Sequence, residues 1–154
     1  VKIRNSTSPY AIVDSSKAIV NSSGQGTFLF SNAVNGTNYY IAVKHRNSIE
    51  TWSSIAKPFT SSLLNYNFTD STTKAYGSNM KQIDGSPLRF GIYSGDVNQD
   101  GSVDLADVTS VYNNSISFLT GYVVTDVNGD NTVDLADVTL VYNNSVSFVE
   151  KVRP

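Results

Sequence analysis

The sequence predicts a mainly β protein with a small α part: an N-terminal antiparallel β-sandwich (1–94), then a pair of loop–helix repeats (95–154). Short runs of alternating apolar residues, separated by Ser, Gly and Asn, fill the first part. The last part contains one unit twice, 30 residues apart, so that Asp96 aligns with Asp126 and Tyr112 with Tyr142. The charge divides at the same place. Residues up to Ser94 include nine Lys/Arg and four acidic residues, whereas residues 95–154 include two Lys/Arg and nine acidic residues.

Composition narrows the possible functions. The chain has 154 residues, 40% of them hydrophobic, which is enough for one medium or two small packed domains. It contains no cysteine, so disulfides, thiolate metal sites and a cysteine nucleophile are excluded. No apolar run reaches the roughly 18 residues of a spanning helix, so we expect no membrane span. The basic residues are scattered rather than clustered, so we expect no nucleic-acid partner.

Alternating apolar residues predict some strands of the N-terminal part, and short runs broken by Ser, Gly and Asn clusters predict the others. Asn35-Gly36 is a hairpin signal, because both residues tolerate positive φ. Seven or eight short strands at this spacing are typical of an Ig-like antiparallel sandwich. The clearest candidates are Val1–Arg4, Tyr10–Asp14, Lys17–Val20, Thr27–Phe30, Tyr39–Arg46, Leu64–Phe68 and Leu88–Ile92.

The first loop, DVNQDGSVDLAD (96–107, here loop 1), has the spacing of a calcium loop. Ca²⁺ takes roughly six to eight oxygens, which a tight loop presents at positions 1, 3, 5, 7, 9 and 12. Gly101 at position 6 should adopt positive φ. Val103 at position 8 should point inward and pair with its counterpart in the second loop. The candidate ligands are Asp96, Asn98, Asp100, the Ser102 carbonyl, Asp104 through a water, and Asp107 as a bidentate ligand.

The second loop, DVNGDNTVDLAD (126–137, here loop 2), repeats this pattern and predicts a second calcium ion. Its departure is Asn131 where glycine is expected, and asparagine is the next best residue for the left-handed region. The two loops together hold eight aspartates, which repel one another unless a cation lies among them. The candidate ligands are Asp126, Asn128, Asp130, the Thr132 carbonyl, Asp134 through a water, and Asp137.

Aspartate at position 12, Gly95 before loop 1 and a single repetition make residues 95–154 resemble type I dockerins. That resemblance implies two calcium ions, a short helix after each loop, and a cohesin-like protein partner. The helix sequences VTSVYNNSISF and VTLVYNNSVSF lack the basic residues that commonly meet a cohesin. The positions implied to meet a partner are Leu105, Ala106, Tyr112, Asn113 and Ser117, then Leu135, Ala136, Tyr142, Asn143 and Ser147.

The stretch from Ser23 to Val43 resembles the Ig-like or prealbumin-like accessory modules of secreted bacterial proteins. This resemblance implies an extracellular or cell-surface location in a bacterium. Glycans are then possible partners at exposed polar side chains, and Asp70-Ser71-Thr72 resembles a bacterial O-glycosylation motif. Asparagines that begin N-x-Ser/Thr sequons are Asn5, Asn21, Asn35, Asn67, Asn113 and Asn143.

Two non-catalytic hypotheses follow. In the first, the chain is a self-assembling subunit of a surface fibre or filament. Copies would meet through head-to-tail contacts, or through terminal strands (Val1–Asn5 and Val149–Arg153) that complete a neighbour's sheet. In the second, the chain is the tail of a larger secreted protein and docks it onto a cohesin-bearing scaffold or cell surface.

We do not expect an enzyme. His45 is the single histidine, and we expect it to be a plain surface residue. No other histidine is present to act as the base of a catalytic triad. Glu50 near Trp52 is compatible with a sugar-binding platform, but Trp52 as a core or edge residue of the sandwich is the favoured interpretation. The paired carboxylates of a glycosidase would have to come from the calcium loops.

Overall fold

The computed structural model describes residues 1–154 and has a mixed architecture of antiparallel sheets and two helices. Two single 3₁₀ turns, Thr72–Lys74 and Tyr76–Ser78, connect the parts of the N-terminal half. The strands are β1 (Lys2–Asn5), β2 (Ile12–Ser15), β3 (Asn38–Val43), β4 (Thr51–Trp52), β5 (Lys57–Pro58), β6 (Lys81–Gly85) and β7 (Leu88–Gly91). The helices are α1 (Leu105–Ser115) and α2 (Leu135–Val146).

Five strands form one antiparallel sheet in the order β2-β1-β3-β4, and β5 also pairs with β3. Strand β1 lies inside the sheet, with Ile3 opposite Asp14 on one side and Ile41 on the other. Ile3 lies between two charged residues, Lys2 and Arg4, and points to the opposite face of the sheet from both. Ile3 is fully buried while its two neighbours are only partly buried, which is the pattern of a strand inside a sheet.

The core of this sheet combines aromatic rings with ion pairs. Trp52 is buried, and its ring lies 6.0 Å from that of Tyr40 and 6.3 Å from that of Tyr10. Its indole N–H donates to Glu50 at 2.9 Å, and the same carboxylate accepts from Lys2 Nζ at 2.8 Å. The prediction that Trp52 is a core residue is therefore confirmed.

The antiparallel sheets of the predicted fold are confirmed, but the second sheet is only the hairpin β6–β7. The predicted strands at Lys17–Val20, Thr27–Phe30 and Leu64–Phe68 are absent, and these segments are irregular. Asn35-Gly36 does not close a hairpin. Gly36 has positive φ as expected, but Asn35 forms an isolated parallel bridge with Phe59.

Both helices begin with a capping box. Asp104 caps α1, with its side chain accepting from the Ala106 N–H, and Asp107 accepts from the Asp104 N–H in return. Asp134 and Asp137 do the same for α2. These bonds satisfy helix N–H groups that have no partner within the helix.

A valine cluster forms the core of the C-terminal half. Its seven buried members are Ile49, Val97, Val103, Val111, Val133, Val141 and Val149. Ile49 comes from the N-terminal half and is fully buried, so the two halves share this core. The predicted boundary at 94/95 therefore marks a change of secondary structure rather than a gap in packing.

Polar contacts continue this seam between the halves. The Gly95 N–H donates to the Asn47 carbonyl at 2.7 Å, and Ser48 bridges Ser94 in antiparallel fashion. Near the C-terminus, the Asn79 side-chain amide donates to the Glu150 carbonyl at 2.9 Å.

The terminal segments expected to complete a neighbour's sheet are already paired within the chain. Strand β1 has a partner on each side, and Val149 and Lys151 hydrogen-bond to loop 1. The strand-complementation contact is therefore corrected for Val1–Asn5, since both edges of β1 are paired within the chain, whereas Val149–Arg153 is paired with loop 1 along one side. Neither α1 nor α2 has the length and apolar character that crossing a bilayer requires.

Candidate metal centre

The aspartates at positions 1 and 12 of each loop lie in the interior. Asp96 is 1% exposed, Asp126 3%, and Asp107 and Asp137 are fully buried. Each sits on the valine cluster because the neighbouring Val97, and its equivalent in loop 2, pack against that cluster. Four buried carboxylates in so small a region cost much free energy unless hydrogen bonds or cations compensate them.

Backbone N–H groups compensate the position-12 aspartates. Asp107 accepts from the N–H groups of Val97 and Asn98 on one oxygen and from Asp104 on the other, at 2.9 to 3.1 Å. Asp137 accepts from the three equivalent groups of loop 2 at 2.8 to 3.0 Å. Each of these aspartates thus joins the start of its loop to the start of the following helix.

Asp96 differs, because its Oδ1 atom is buried without any hydrogen-bond partner. Burial, the largest cause, raises the pKa of Asp96 above its ordinary value of 3.8, and the nearby charges of Asp107 and Asp100 raise it further. Backbone N–H groups of the loop oppose this shift only in part. An unpaired buried carboxylate oxygen beside two other carboxylates is a suitable ligand for a hard cation.

The remaining ligand positions form matching turns in the two loops. The Asn98 side-chain amide donates to Asp100 at 2.8 Å, and Asp100 accepts from the Ser102 N–H at 2.9 Å. The Asn128, Asp130 and Thr132 contacts of loop 2 have the same pattern at 2.9 Å each.

Position 6 adopts the predicted left-handed backbone in both loops. Gly101 has φ of 101° and Asn131 has φ of 75°. The Lys151 side chain lies over Gly101, where an added Cβ would be 3.2 Å from its Nζ. In loop 2 the position-6 residue is Asn131, and the residue hydrogen-bonded to it is Gly121, which has open space at its Cβ position. Loop 1 thus pairs a glycine with a lysine from the segment after α2, whereas loop 2 pairs an asparagine with a glycine.

Position 8 corrects one prediction. Val103 and Val133 both point into the valine cluster as expected, but their backbones are not hydrogen-bonded to each other. The Val103 N–H donates to the Val149 carbonyl, and the Val133 N–H donates to the Leu119 carbonyl, both at 2.8 Å. Each loop is therefore braced by the segment that follows the other repeat's helix. We call these segments tail 1 (119–121) and tail 2 (149–151).

The structure brings the predicted ligands into two compact loops but does not turn all of them toward one point. No group of three or more His, Cys, Asp or Glu side chains is arranged to hold a metal ion. Asp104 and Asp134, predicted to act through water, direct one oxygen each to a helix N–H. The carboxylates at positions 5, 9 and 12 hydrogen-bond to the loop backbone, whereas Asp96 Oδ1 stays unpaired.

Sequence reasoning missed the residues that join the loops to the N-terminal half. Arg46 donates to the carbonyls of Val123 and Asp126 at 3.1 and 3.2 Å, and Asn47 donates to the Asp126 carbonyl at 2.8 Å. In loop 1 the neutral Gln99 side chain donates to the Ser48 carbonyl of the N-terminal half at 3.4 Å and to the Asp96 carbonyl within the loop. Only the density of polar residues between β3 and β4 hinted at this role.

The positions that resemblance implied for a partner are largely at the surface. Leu105 and Leu135 are 76% and 73% exposed, and Tyr112 and Tyr142 are 53% and 55% exposed. His45 is also at the surface, as predicted, and the six sequon asparagines are all exposed. Comparison with protein-family models, with curated proteins and with solved structures finds no match.

Proposed function

We propose that this chain is a non-catalytic, calcium-binding structural module that holds two Ca²⁺ ions, one in each loop. The observation that carries the proposal is the Asp96 Oδ1 atom, which is buried and unpaired beside the carboxylates of Asp107 and Asp100. A divalent cation supplies the missing partner and offsets the repulsion between these groups.

The arrangement of both loops supports a dockerin-like assignment of residues 95–154. Each helix starts at position 10 of its loop, each position 6 has positive φ, and position 12 closes the loop onto the helix start. The N-terminal sheet and hairpin support an accessory, Ig-like role for residues 1–94. An extracellular or cell-surface location in a bacterium belongs to the same proposal, as do glycans at the exposed sequons.

The partner is most simply another copy of this chain. The N-terminal half carries a net charge of +5, and the C-terminal half one of −7 without metal, or −3 once two bound Ca²⁺ ions add four positive charges, so head-to-tail contacts join opposite charges. Such a contact is heterologous, and it gives a filament when the rotation between copies does not close. Since both edges of β1 are already paired, copies would meet mainly through side-chain surfaces.

A cohesin-like partner is the alternative, and the repetition of one surface supports it. Phe118 and Phe148 are 66% and 87% exposed, like the Leu and Tyr pairs of the two helices. Two equivalent apolar surfaces allow one partner to bind in two orientations. Apolar residues exposed in this way are typical of protein-binding sites.

Calcium titration tests the first part of the proposal. We expect two ions per chain by isothermal titration calorimetry and a higher melting temperature in calcium than in chelator. At a free concentration about 1,000 times Kd, each site adds about 4 kcal/mol to the free energy of unfolding. Equal melting curves in calcium and chelator would refute calcium binding.

Negative-stain electron microscopy separates the two partners. Purified chain in calcium is expected to form regular filaments that dissolve as salt concentration rises, because the contact joins opposite charges. A monodisperse monomer at high concentration would count against self-assembly and favour the cohesin-like partner.

A further inference from the structure

We infer that the two calcium sites are unequal, and that Arg46 makes loop 2 the weaker one. This inference rests on the proposed calcium binding and concerns a residue outside both loops. Arg46 lies after β3, in the segment that connects to β4, and its side chain is 18% exposed. It is a positioning residue that acts on the metal site through Asp126.

The surroundings of the two position-1 aspartates differ. Asp126 accepts from the N–H groups of Gly129 and Asn131 at 2.8 and 3.2 Å, so each of its oxygens has a partner. Asp126 also has an ion pair, because Arg46 Nη2 lies 3.8 Å from its Oδ2 atom. Asp96 has no ion pair within that range, and its Oδ1 has no partner at all.

Arg46 is held in place by more than this ion pair. Its guanidinium stacks 3.9 Å from the Tyr122 ring centroid and donates to the Val123 and Asp126 carbonyls. A planar, permanently charged group with three such contacts cannot move away when calcium arrives without losing them. Calcium in loop 2 therefore binds against a fixed positive charge.

Loop 1 has a cation of its own, but it is placed differently. Lys151 lies over Gly101 at position 6 and makes no ion pair with a loop aspartate. The side chain that holds the Asp96 carbonyl is Gln99, which is neutral. Calcium in loop 1 thus meets a carboxylate that has no ion pair and whose Oδ1 is free, and loop 1 fills first.

The test measures each site alone. Asp130→Ala removes an exposed ligand from loop 2 and leaves loop 1, and Asp100→Ala does the reverse. Calorimetric titration is expected to give a Kd about three to ten times lower for the Asp130→Ala protein than for the Asp100→Ala protein, since the Arg46 charge is partly screened. Adding Arg46→Gln to the Asp100→Ala protein should close most of this gap, while Arg46→Lys keeps it.

Lys44→Gln is the matched control. It also removes one positive charge, but Lys44 is exposed and lies two residues before Arg46. Arg46→Gln in the Asp130→Ala protein should leave the Kd of loop 1 unchanged. Equal Kd values for the two sites, or equal effects of Arg46→Gln and Lys44→Gln on loop 2, would overturn the inference. Absence of binding in every variant would instead refute the proposed calcium function. Far-UV circular dichroism in calcium checks that each variant is folded.

Discussion

Asp96 is a side chain that is unfavourable for the fold alone and that the proposed calcium ion would stabilise. Its carboxylate is buried, its pKa is raised mainly by burial, and one oxygen is unpaired. Leaving a buried polar group without a partner costs about 1–3 kcal/mol. A cation bound in the proposed site would remove this cost, and folding and metal binding would then depend on each other.

Asp96→Asn is therefore expected to have opposite effects in the two conditions. In chelator it removes a buried charge and should stabilise the protein by about 1–3 kcal/mol. In calcium it removes a charged ligand, and the variant should melt below the wild type. Thermal melts of both proteins, with and without calcium, measure this crossing. Asp70→Asn, in an exposed ion pair, is the control and should shift both curves little.

Glu50 is the second residue with a clear consequence. Burial raises its pKa, but hydrogen bonds from Lys2 and Trp52 and the charges of Lys2 and Arg4 outweigh burial, so the pKa is lowered below 4.5. A carboxylate whose pKa is lowered by folding stabilises the folded state at every pH above its unfolded-state pKa. This stabilisation is lost as the pH falls through the pKa of the folded state.

Glu50→Gln should cost about 3 kcal/mol at neutral pH, because it leaves Lys2 and Arg4 without their partner. Urea unfolding of wild type and variant from pH 7 to pH 3 measures the difference between them. That difference should shrink as pH falls below about 4.5. A gap that stays constant across this range would show that the carboxylate charge is not responsible.

At the scale of elements, the helices and loops could be predicted and much of the sheet could not. The ligand spacing and the aspartate at the third position of each helix are local signals, and both repeats carry them. Strands β4 and β5 have two residues each, which is too short for a periodic pattern. Their pairing with β3 is set by tertiary contacts.

The wrong strands have a common physical cause. Ile19 and Leu29 lie in short apolar runs (18–20 and 28–30), yet they are 92% and 81% exposed. A run rich in β-favouring residues predicts a strand only where there is a surface to bury its apolar side chains, and the hairpin β6–β7 is the only second sheet. The seam through Arg46 and Ile49 was missed for a similar reason, since no local pattern encodes a contact about 80 residues away.

Tail 2 is the element with the most direct test. The Lys151 N–H donates to the Gly101 carbonyl at 2.7 Å, and Lys151→Pro removes that donor. Losing this bond is expected to cost about 1–2 kcal/mol and to weaken calcium binding at loop 1 about tenfold. Lys151→Ala keeps the N–H and is the matched control. Calorimetry on both should show loop 2 unchanged, and a similar loss in the two variants would assign the effect to the lysine side chain.

At the scale of the whole molecule, the shared core predicts that the two halves unfold together. Ile49→Ala should destabilise the protein by about 2–5 kcal/mol, because Ile49 is fully buried in the valine cluster. Trp52 fluorescence reports the sheet and far-UV circular dichroism reports the helices, and both should give one midpoint. Ile55→Ala, at a 55% exposed position, is the control. Separate midpoints for the two probes would mean that the halves fold independently.

Tail 1 hydrogen-bonds to loop 2 and tail 2 to loop 1, and this exchange limits how small the fold can be. A peptide containing only one thirty-residue copy would carry a tail whose docking place is on the missing copy. Two such peptides could restore both contacts by reciprocal exchange, each lending its tail to the other. An isolated copy is thus expected to assemble as a symmetric homodimer in calcium. Covalent fusion of two copies then replaces a concentration-dependent pairing with an intramolecular one.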